Sequence, residues 1–358
     1  MTGAPEAVEQ QLLRSTIPWE VRIGLWLPTV GWGLFASAIL IAAALAFRWL
    51  FPDRPGASYP IGLGFATRAA LVASITIGYA LASWRWISVA TFRDLQRLGL
   101  VDPAIDVERE EWLVHCNPIE VLRRSRLGGL AGIAFFVFLI EIPSALAGAR
   151  PGQVWFQLHP MTYMLGLGVL FFWIAGRLAY SSLGPLRVRS LDLEFELDLL
   201  DPRPTAIFGR MALRGSLAWV IGLSLSSLVF LNPELELRGS MIVFLPLLLV
   251  TLVIAALTLT LPVRGLRRRI AEQKRQELER VRAAIRGDKG ALAESRISDQ
   301  AADLGLGDLI AYLGLIEAVH EWPFDSSTVG RLGLYLLIPV GSWLGGALVE
   351  RFVSLVLD

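Results

Sequence analysis

Segment 264–290, RGLRRRIAEQKRQELERVRAAIRGDKG, carries the densest run of ionisable side chains in this chain. Guanidinium and ammonium groups bind phosphates and carboxylates through charge-assisted hydrogen bonds, so the segment is a candidate site for an anionic ligand. Several copies around an axis could hold phosphate chains or nucleic acid, but no aromatic residue interleaves the basic ones for base stacking. The candidate ligand-binding residues are Arg267, Arg268, Arg269, Lys274, Arg275, Arg280 and Arg282.

Two other interpretations of this segment are open. Residues 263–289 hold ten basic and four acidic side chains, whereas residues 290–330 hold one basic and seven acidic ones. The acidic half includes a stretch with helical periodicity, 306–322, so an antiparallel hairpin of opposite charge would make the basic helix a structural strut. Alternatively, the arginines at 264–269 would attract anionic lipid headgroups at a membrane surface, at roughly 1 kcal/mol per residue.

Two further ionisable residues, Arg68 and Glu141, lie inside long apolar stretches. Counted at 1.5 Å per helical residue from the outer ends of those stretches, both lie at a depth of about 10 Å. Charges inside a membrane are usually paired or face a polar path. We therefore expect a buried ion pair between Arg68 and Glu141, with a charge that lines a conduction path as the alternative.

Small residues four positions apart recur in the apolar stretches, as in Gly33/Ser37 and Gly128/Gly132. This spacing lets helix backbones approach closely, so close packing is the plain explanation. The last apolar stretch also contains a proline, which removes one helix hydrogen bond and favours a bend. A bent helix with a glycine face is the best candidate for a pore lining or gate. The candidate gate residues are Pro339, Gly341, Ser342, Gly345 and Gly346.

The motifs of common enzymes are missing or incomplete. GLGD, residues 305–308, matches a signature of intramembrane aspartyl proteases, but that chemistry needs a second aspartate inside the membrane, so Asp308 fits better as a helix cap. His115 and Cys116, the only cysteine, are neighbours in sequence, which does not make them a nucleophile and base. The histidines have no metal-ligand spacing, and no phosphate-binding or dinucleotide loop occurs. We expect no enzymatic activity, cofactor or metal.

The elements that must position these residues are long apolar helices. The 358 residues are 54% hydrophobic and 18% charged, against about 25% charged in soluble domains. Roughly 20 helical residues cross a hydrocarbon core, and unbroken apolar runs of that length form helices in lipid. We therefore predict an all-α membrane protein with seven transmembrane helices. The predicted spans are residues 25–47, 61–84, 127–147, 155–180, 215–231, 241–262 and 332–349.

The loops between the spans alternate in charge. Loops 85–126 and 181–214 hold seven and five arginines, and loop 263–331 holds ten arginines and two lysines, whereas each loop on the other side holds at most two basic residues. Basic loops stay in the cytoplasm, so the N-terminus is predicted to be cytoplasmic. The similar sequences PIEVLRRSRLGG at 118–129 and PTAIFGRMALRG at 204–215 favour a lead helix followed by three helical hairpins. The alternative is that any helix entering a membrane looks like this.

The predicted organisation follows from these spans and loops. Residues 1–24 form an amphipathic segment on the membrane surface, and the basic loops are cytosolic inserts. In chain order, the remaining parts are spans one and two at 25–84, insert one at 85–126, spans three and four at 127–180, insert two at 181–214, spans five and six at 215–262, insert three at 263–331, and span seven with the C-terminus at 332–358.

Insert two contains SLDLEFELDLL, residues 190–200, in which apolar and acidic residues alternate strictly. Such alternation is typical of a β-strand with one buried face, and an irregular amphipathic helix is the alternative. Arg177 and Arg214 lie near the inner ends of their spans, so their side chains are expected to extend to the membrane surface.

DLLDPRPTAIFGRMALRGSLAWV, residues 198–220, and EWPFDSSTVGRLGLYLLIPVGSWLGGALVER, residues 321–351, resemble segments of an uncharacterised family of multi-pass bacterial inner-membrane proteins. In plan, with several spans and charged cytosolic inserts, the chain is similar to the membrane effector of the Hailong anti-phage system. That resemblance implies an oligomeric pore held shut by a nucleic-acid ligand, and a nucleotidyltransferase partner that makes the ligand.

Together these features favour a homo-oligomeric ion channel or pore of the bacterial inner membrane that is gated from its cytosolic face. As an anti-phage effector, it would respond to a nucleotide or nucleic-acid ligand. Its partners would be further copies of itself, membrane lipid, and a cytosolic nucleotidyltransferase or that enzyme's product. A non-conducting scaffold that recruits a cytosolic partner is the main alternative. A solute transporter is the third hypothesis, and it would need a polar cavity near the midplane.

Overall fold

A computed structural model of the chain describes residues 27–50, 63–97, 118–146, 162–183, 203–230, 237–295 and 305–322. Between and beyond these stretches it also describes residues 20, 148, 150, 199, 297–298, 330, 333–334, 337 and 341. Most of the predicted N-terminal segment, the alternating stretch at 190–200 except for Leu199, and most of the predicted last span lie outside the described residues.

The described part of the chain is helical and contains no strand. Its helices are α1 Thr29–Leu50, α2 Leu63–Arg97, α3 Pro118–Leu146, α4 Thr162–Leu183, α5 Arg203–Ser227, α6 Leu237–Ile285 and α7 Leu306–Ala318. Short 3₁₀ helices at Leu228–Phe230 and Lys289–Glu294 follow α5 and α6.

Four of the described helices are long and apolar enough to cross a membrane, as predicted for spans one, two, three and six. They contain the stretches Thr29–Phe47, Thr67–Thr91, Ser125–Ile142 and Ile242–Ile285. The apolar part of α4, Leu165–Tyr180, is shorter, and α5 includes three arginines and is not among the four. Many large apolar side chains on these helices are exposed, which suits a lipid environment better than water.

Helix α2 lies at the centre of a bundle formed by α1 to α5 and the first half of α6. It packs against α1, α4 and α5, while α3 packs against α4 and α5 packs against α6. Half of the residues in the most apolar part of α2 are buried, compared with 17% in α1 and α3. The apolar side chains at the centre of the bundle are Trp32, Ala36, Ala70, Ile77, Ala80, Leu81, Trp84, Leu167, Ile174 and Leu178.

Glycines form the closest helix contacts in this bundle. A Cβ atom added to Gly78 in α2 would collide with the carbonyl oxygen of Gly33 and the hydroxyl of Ser37 in α1. At the α3–α4 crossing, a Cβ atom on Gly176 would collide with the backbone of Gly128. The packing role predicted for the Gly33/Ser37 and Gly128/Gly132 spacings is therefore confirmed.

Helix α6 continues without interruption far beyond the bundle. Its 49 residues correspond to about 74 Å of helix. It ends before Gly287, whose φ of 107° is a left-handed conformation that favours glycine. After the second 3₁₀ helix, α7 packs antiparallel on the final part of α6. We call the part of α6 from Arg264 to Ile285, together with α7, the hairpin.

An apolar cluster holds the hairpin together and reaches the bundle through α5. Ile270 and Val281 of α6 pack with Leu309 and Ile316 of α7, and Phe208 of α5 joins them. All five side chains are buried. The apolar seam of the amphipathic helix predicted at 306–322 is therefore what buries α7 against α6.

Candidate functional site

Lys274 connects the two helices of the hairpin at the end of α7. Its Nζ donates hydrogen bonds of 2.8 Å to the carbonyl oxygens of Glu317 and Val319. The last carbonyls of a helix have no partner within the helix, and a cation there also interacts favourably with the helix dipole. Lys274 thus caps α7, a role that the charge pattern alone does not specify.

Three arginines of α6 pair with carboxylates. Arg282 bonds Glu317 of α7 at 2.9 Å between Nη2 and Oε1. Arg275 donates to Glu272 at 2.9 Å, and these hydrogen bonds, from Arg275 and then Gln276, hold the pKa of the exposed Glu272 carboxyl below its usual range. Arg280 lies 3.5 Å from the carboxylate of Glu277. These guanidinium groups are therefore already neutralised in part by the protein.

Arg267 lies at the end of the hairpin nearest the bundle. Its guanidinium stacks on the ring of Trp322, with 4.6 Å between the guanidinium carbon and the ring centroid. Its Nη2 atom is 3.9 Å from a carboxylate oxygen of Glu321. Arg268 is exposed, and Arg269 is half-buried and engaged in contacts of its own.

The seven candidate ligand-binding residues therefore do not converge on one site in a single chain. They follow α6 over about 22 Å between Arg267 and Arg282, and most of them contact other residues of the hairpin. The antiparallel hairpin of opposite charge, which we expected as one alternative, is confirmed by the contacts of Lys274, Arg282 and Arg267 with α7 and the residues that follow it.

Glu277 forms a buried polar cluster inside the hairpin. The side chain is only 3% exposed. It accepts hydrogen bonds from the hydroxyl of Ser295 at 2.5 Å and from the hydroxyl of Tyr312 at 3.0 Å. The carboxylate thus connects α6, the end of the 3₁₀ segment and α7. The sequence pattern does not indicate this role, because an acidic residue in a basic helix is expected on the solvent-exposed face.

A second buried polar cluster lies where the bundle meets the N-terminal segment. Arg177 of α4 is ion-paired with Glu20 and also donates to the hydroxyl of Ser125 in α3 at 3.2–3.3 Å. The indole of Trp173 donates to the same Glu20 oxygen at 3.2 Å and lies 5.6 Å from the Arg177 guanidinium. The second oxygen of Glu20 is buried and has no hydrogen-bond partner among the residues that the structure describes.

Arg214 of α5 forms a comparable pair with Asp94 near the end of α2. The two side chains approach to 2.5 Å, and Asp94 is almost fully buried. The prediction that Arg177 extends to the membrane surface is wrong, because that side chain is 3% exposed and paired. Arg214 is partly exposed and paired with Asp94, so its extension to the membrane surface stays a prediction. The position of an arginine along a span shows how near it lies to the membrane surface. It does not show whether a neighbouring helix offers a carboxylate as a partner.

For the remaining predicted residues, the structure gives the position of single residues but no contact between the members of a predicted pair or group. Arg68 is exposed at the beginning of α2, and Glu141 is half-buried towards the end of α3, each with interactions of its own, so their pairing stays a prediction. Among the candidate gate residues only Gly341 is described, as helical and exposed with open space around it, and the other four lie outside the described residues. His115 and Cys116 also lie outside them.

Asp308 caps α7, as predicted. Its carboxylate accepts a hydrogen bond of 3.0 Å from the backbone amide of Gly305, at the helix N-terminus.

Most hydroxyl groups inside the bundle bond to their own helices. Ser74, Ser226 and Thr251, for example, donate to the carbonyl oxygen one turn earlier at 2.7–2.8 Å. Tyr79 instead reaches from α2 to the carbonyl oxygen of Ala218 in α5 at 3.0 Å. These bonds satisfy the hydroxyls locally, and in α5 the hydroxyls of Ser224 and Ser227 likewise donate to carbonyl oxygens of their own helix.

Comparisons of this chain with protein families, with curated proteins and with solved structures found no match.

Proposed function

We propose that the protein is a homo-oligomeric ion channel of the bacterial inner membrane, with seven spans and a cytoplasmic N-terminus, gated from the cytosol by an anionic ligand. The observation that carries this proposal is the continuity of α6, which is a single helix of 49 residues from the bundle to the tip of the hairpin. Because α6 is unbroken, its basic half is held in a fixed position relative to the bundle, and a change at the hairpin would displace α7 rather than α6.

The hairpin has contacts that an anionic ligand could replace. Lys274 and Arg282 hold the end of α7 through Glu317 and Val319. These contacts are exposed or only partly buried, and exposed ion pairs contribute about 0–1 kcal/mol each. A ligand with several phosphates would compete for both cations at once and would gain charge-assisted hydrogen bonds. The end of α7 would then be released.

Release of α7 would act on the predicted gate. Residue 322, which ends the continuous described stretch that contains α7, precedes the predicted seventh span at 332–349 by ten positions, and that span carries Pro339 and the glycine face. In this mechanism α6 stays fixed in the bundle while α7 moves the last span. The pore would lie between subunits, where the largely exposed membrane half of α6 and the last span can meet other copies.

The deciding experiment is electrical recording from the purified full-length protein in planar bilayers. Long-chain polyphosphate and a short single-stranded oligonucleotide serve as probe anions. The double variant K274Q/E317Q removes the charged groups that connect α6 with the end of α7 and leaves the net charge unchanged. We expect it to change the open probability of the channel in the absence of ligand. The control E279Q/R286Q also removes one charge of each sign, from exposed positions in and just after α6 that form no hydrogen bond or ion pair with α7, and should conduct like the wild type.

Silence of the wild type and of K274Q/E317Q under both probes, together with a monomer by native mass spectrometry, would refute the channel. Equal effects of K274Q/E317Q and its control would refute the competition mechanism but leave conduction intact.

A scaffold that recruits a cytosolic partner is the second candidate. The observation that favours it is that most of the candidate basic side chains already have partners in the hairpin, which makes the hairpin a preformed element that could dock a protein. A scaffold predicts that K274Q/E317Q loses a co-purifying partner while membrane conductance stays at the background level. Conductance that responds to the same variant would instead support the channel.

A further inference from the structure

One surface of α6, at the beginning of the hairpin, carries three arginines, of which Arg267 contacts Glu321 and Trp322 just after α7. Arg264, Arg267 and Arg268 follow each other at intervals of three and one residues, so they share one face of α6. All three are exposed. Val263 and Leu266, on another face of the same turns, are at most 1% exposed. In these turns the apolar face of α6 is therefore packed inside the protein, and the face that carries the three arginines is exposed.

The depth of this surface matches lipid headgroups. The apolar run of α6 ends near Pro262, so Arg264 lies about 3 Å and Arg268 about 9 Å beyond it along the helix. The headgroup region of each leaflet is roughly 5–7 Å thick, half the difference between the full bilayer and its hydrocarbon core. The three guanidinium groups thus lie at and just beyond the level of lipid phosphates.

Trp322 places an exposed aromatic ring beside these arginines, which is unusual for a charged surface that faces only water. Its ring is partly exposed at 40% and stacks on the Arg267 guanidinium at 4.6 Å. Tryptophan is enriched at membrane interfaces because its ring is apolar and its N–H group is polar. Glu321, 3.9 Å from Arg267, offsets one positive charge. Three arginines and this one glutamate leave the surface with a net charge of +2.

We propose that Arg264, Arg267, Arg268 and Trp322 form a binding site for the phosphate headgroup of an anionic phospholipid, in the leaflet at which α6 leaves the membrane. Arg264 and Arg268 contact the phosphate, and Trp322 positions Arg267 beside it. Bound lipid fixes the point at which α6 leaves the bilayer and so holds the hairpin at a defined height. This site requires only that α6 crosses a membrane, and it is independent of conduction or of any soluble ligand.

The test is lipid titration of the full-length protein in detergent micelles, followed by native mass spectrometry. The probes are palmitoyl-oleoyl phosphatidylglycerol and, as a neutral lipid with the same chains, palmitoyl-oleoyl phosphatidylcholine. We expect R264Q/R268Q to weaken phosphatidylglycerol binding roughly thirtyfold, at the strength with which surface arginines attract anionic lipid. W322L should weaken it a few-fold, because Arg267 loses its stacking partner. The lysine variant R264K/R268K should keep most of the binding.

The matched control is R286Q/K289Q, which also removes two positive charges, at positions just after the end of α6, about 32 Å along the helix from Arg264. We expect less than a twofold change, because interactions beyond a Debye length of about 8 Å are screened. Equal losses in R264Q/R268Q and the control would show a net-charge effect and overturn the site. So would equal binding of phosphatidylcholine and phosphatidylglycerol, an unchanged R264Q/R268Q variant, or displacement of the lipid by a short oligonucleotide.

Discussion

The α3–α4 crossing and the hairpin are both antiparallel helix pairs, but different interactions hold them. At the crossing, Gly128, Gly132 and Gly176 bring the backbones into contact, and a charged side chain beside them, Arg177, donates to the hydroxyl of Ser125 across the pair. In the hairpin the helices are separated by larger side chains, with Ile270 and Ile316 in the apolar cluster and charged residues around it. The α3–α4 crossing is thus held mainly by close backbone packing, whereas the hairpin is held by burial of apolar side chains and by contacts between opposite charges.

The environment of each pair explains this difference. Lipid tails are as apolar as leucine, so helices in a membrane gain nothing from hiding apolar side chains and associate through close packing of small residues. Water drives apolar side chains together, at roughly 25 cal/mol per Å² buried, so the hairpin can be held by a seam of isoleucine and leucine. The two regions should therefore respond differently to the same kind of substitution, and the following predictions test this.

The largest effect is expected from Gly176→Leu. Its Cβ atom would collide with the backbone of Gly128 and contact Gly132, and a backbone cannot move aside as a flexible side chain can. We expect the loss of stability to exceed the 1–3 kcal/mol typical of overpacking, so that little folded protein remains. The measurement is the monodisperse yield by size-exclusion chromatography in detergent.

Gly166→Leu is the control for this prediction because Gly166 lies in the same helix and an added Cβ atom would meet no other atom there within 4 Å. It should leave the yield close to that of the wild type. Similar yields from the two variants would show that the α3–α4 crossing does not depend on backbone contact.

Arg177→Ala should have the next largest effect. It leaves Glu20 buried without its cation, and breaking a buried ion pair in this way costs about 3–5 kcal/mol. The loss is measured by chemical unfolding in mixed micelles. The double variant R177A/E20A removes both charges and should recover part of the loss. If the double variant is as unstable as the sum of the two single ones, the pair does not act as a unit.

The sequence predicted the helices well where one physical signal dominates. The length of an apolar run determines whether a helix can cross a membrane, and the four-residue spacing of Gly128 and Gly132 indicated a close crossing. The segregation of charge between 263–289 and 290–330 indicated the hairpin. In each case neighbours along the chain carry the signal, so no knowledge of the tertiary structure is required.

The polar clusters could not be predicted because their members come from distant parts of the chain. Glu20 and Arg177 are 157 residues apart, and Asp94 and Arg214 are 120 apart. Depth along a span is readable from sequence, but the neighbour at that depth depends on helix order and rotation in the bundle. For the same reason the pairing of Arg68 with Glu141 stays a prediction, and the buried position of Glu277 was missed.

Glu277→Ala should have an intermediate effect that is confined to the hairpin. The hydroxyls of Ser295 and Tyr312 would lose their acceptor inside a buried cluster, and each unsatisfied buried group costs about 1–3 kcal/mol. We expect faster hydrogen–deuterium exchange in α7 and unchanged exchange in α2. Glu279→Ala, two residues away and exposed, is the control and should leave α7 as protected as in the wild type. Unchanged protection of α7 in Glu277→Ala would contradict the role of this cluster.

The smallest effect is expected at the ion pair of Arg282 with Glu317, which has the same chemistry as the pair of Arg177 with Glu20. Its side chains are 55% and 50% exposed, compared with 3% and 8% in the buried pair. Water and salt screen exposed charges, so the coupling in a double-mutant cycle of R282A and E317A should be about 0.2–1 kcal/mol and should decrease as salt is added. The coupling energy is measured by monitoring the unfolding of the hairpin through hydrogen–deuterium exchange at two ionic strengths. A coupling as large as that of the buried pair, or one independent of salt, would mean that burial does not distinguish the two regions. A small and salt-sensitive coupling fits a contact that an anionic ligand can replace.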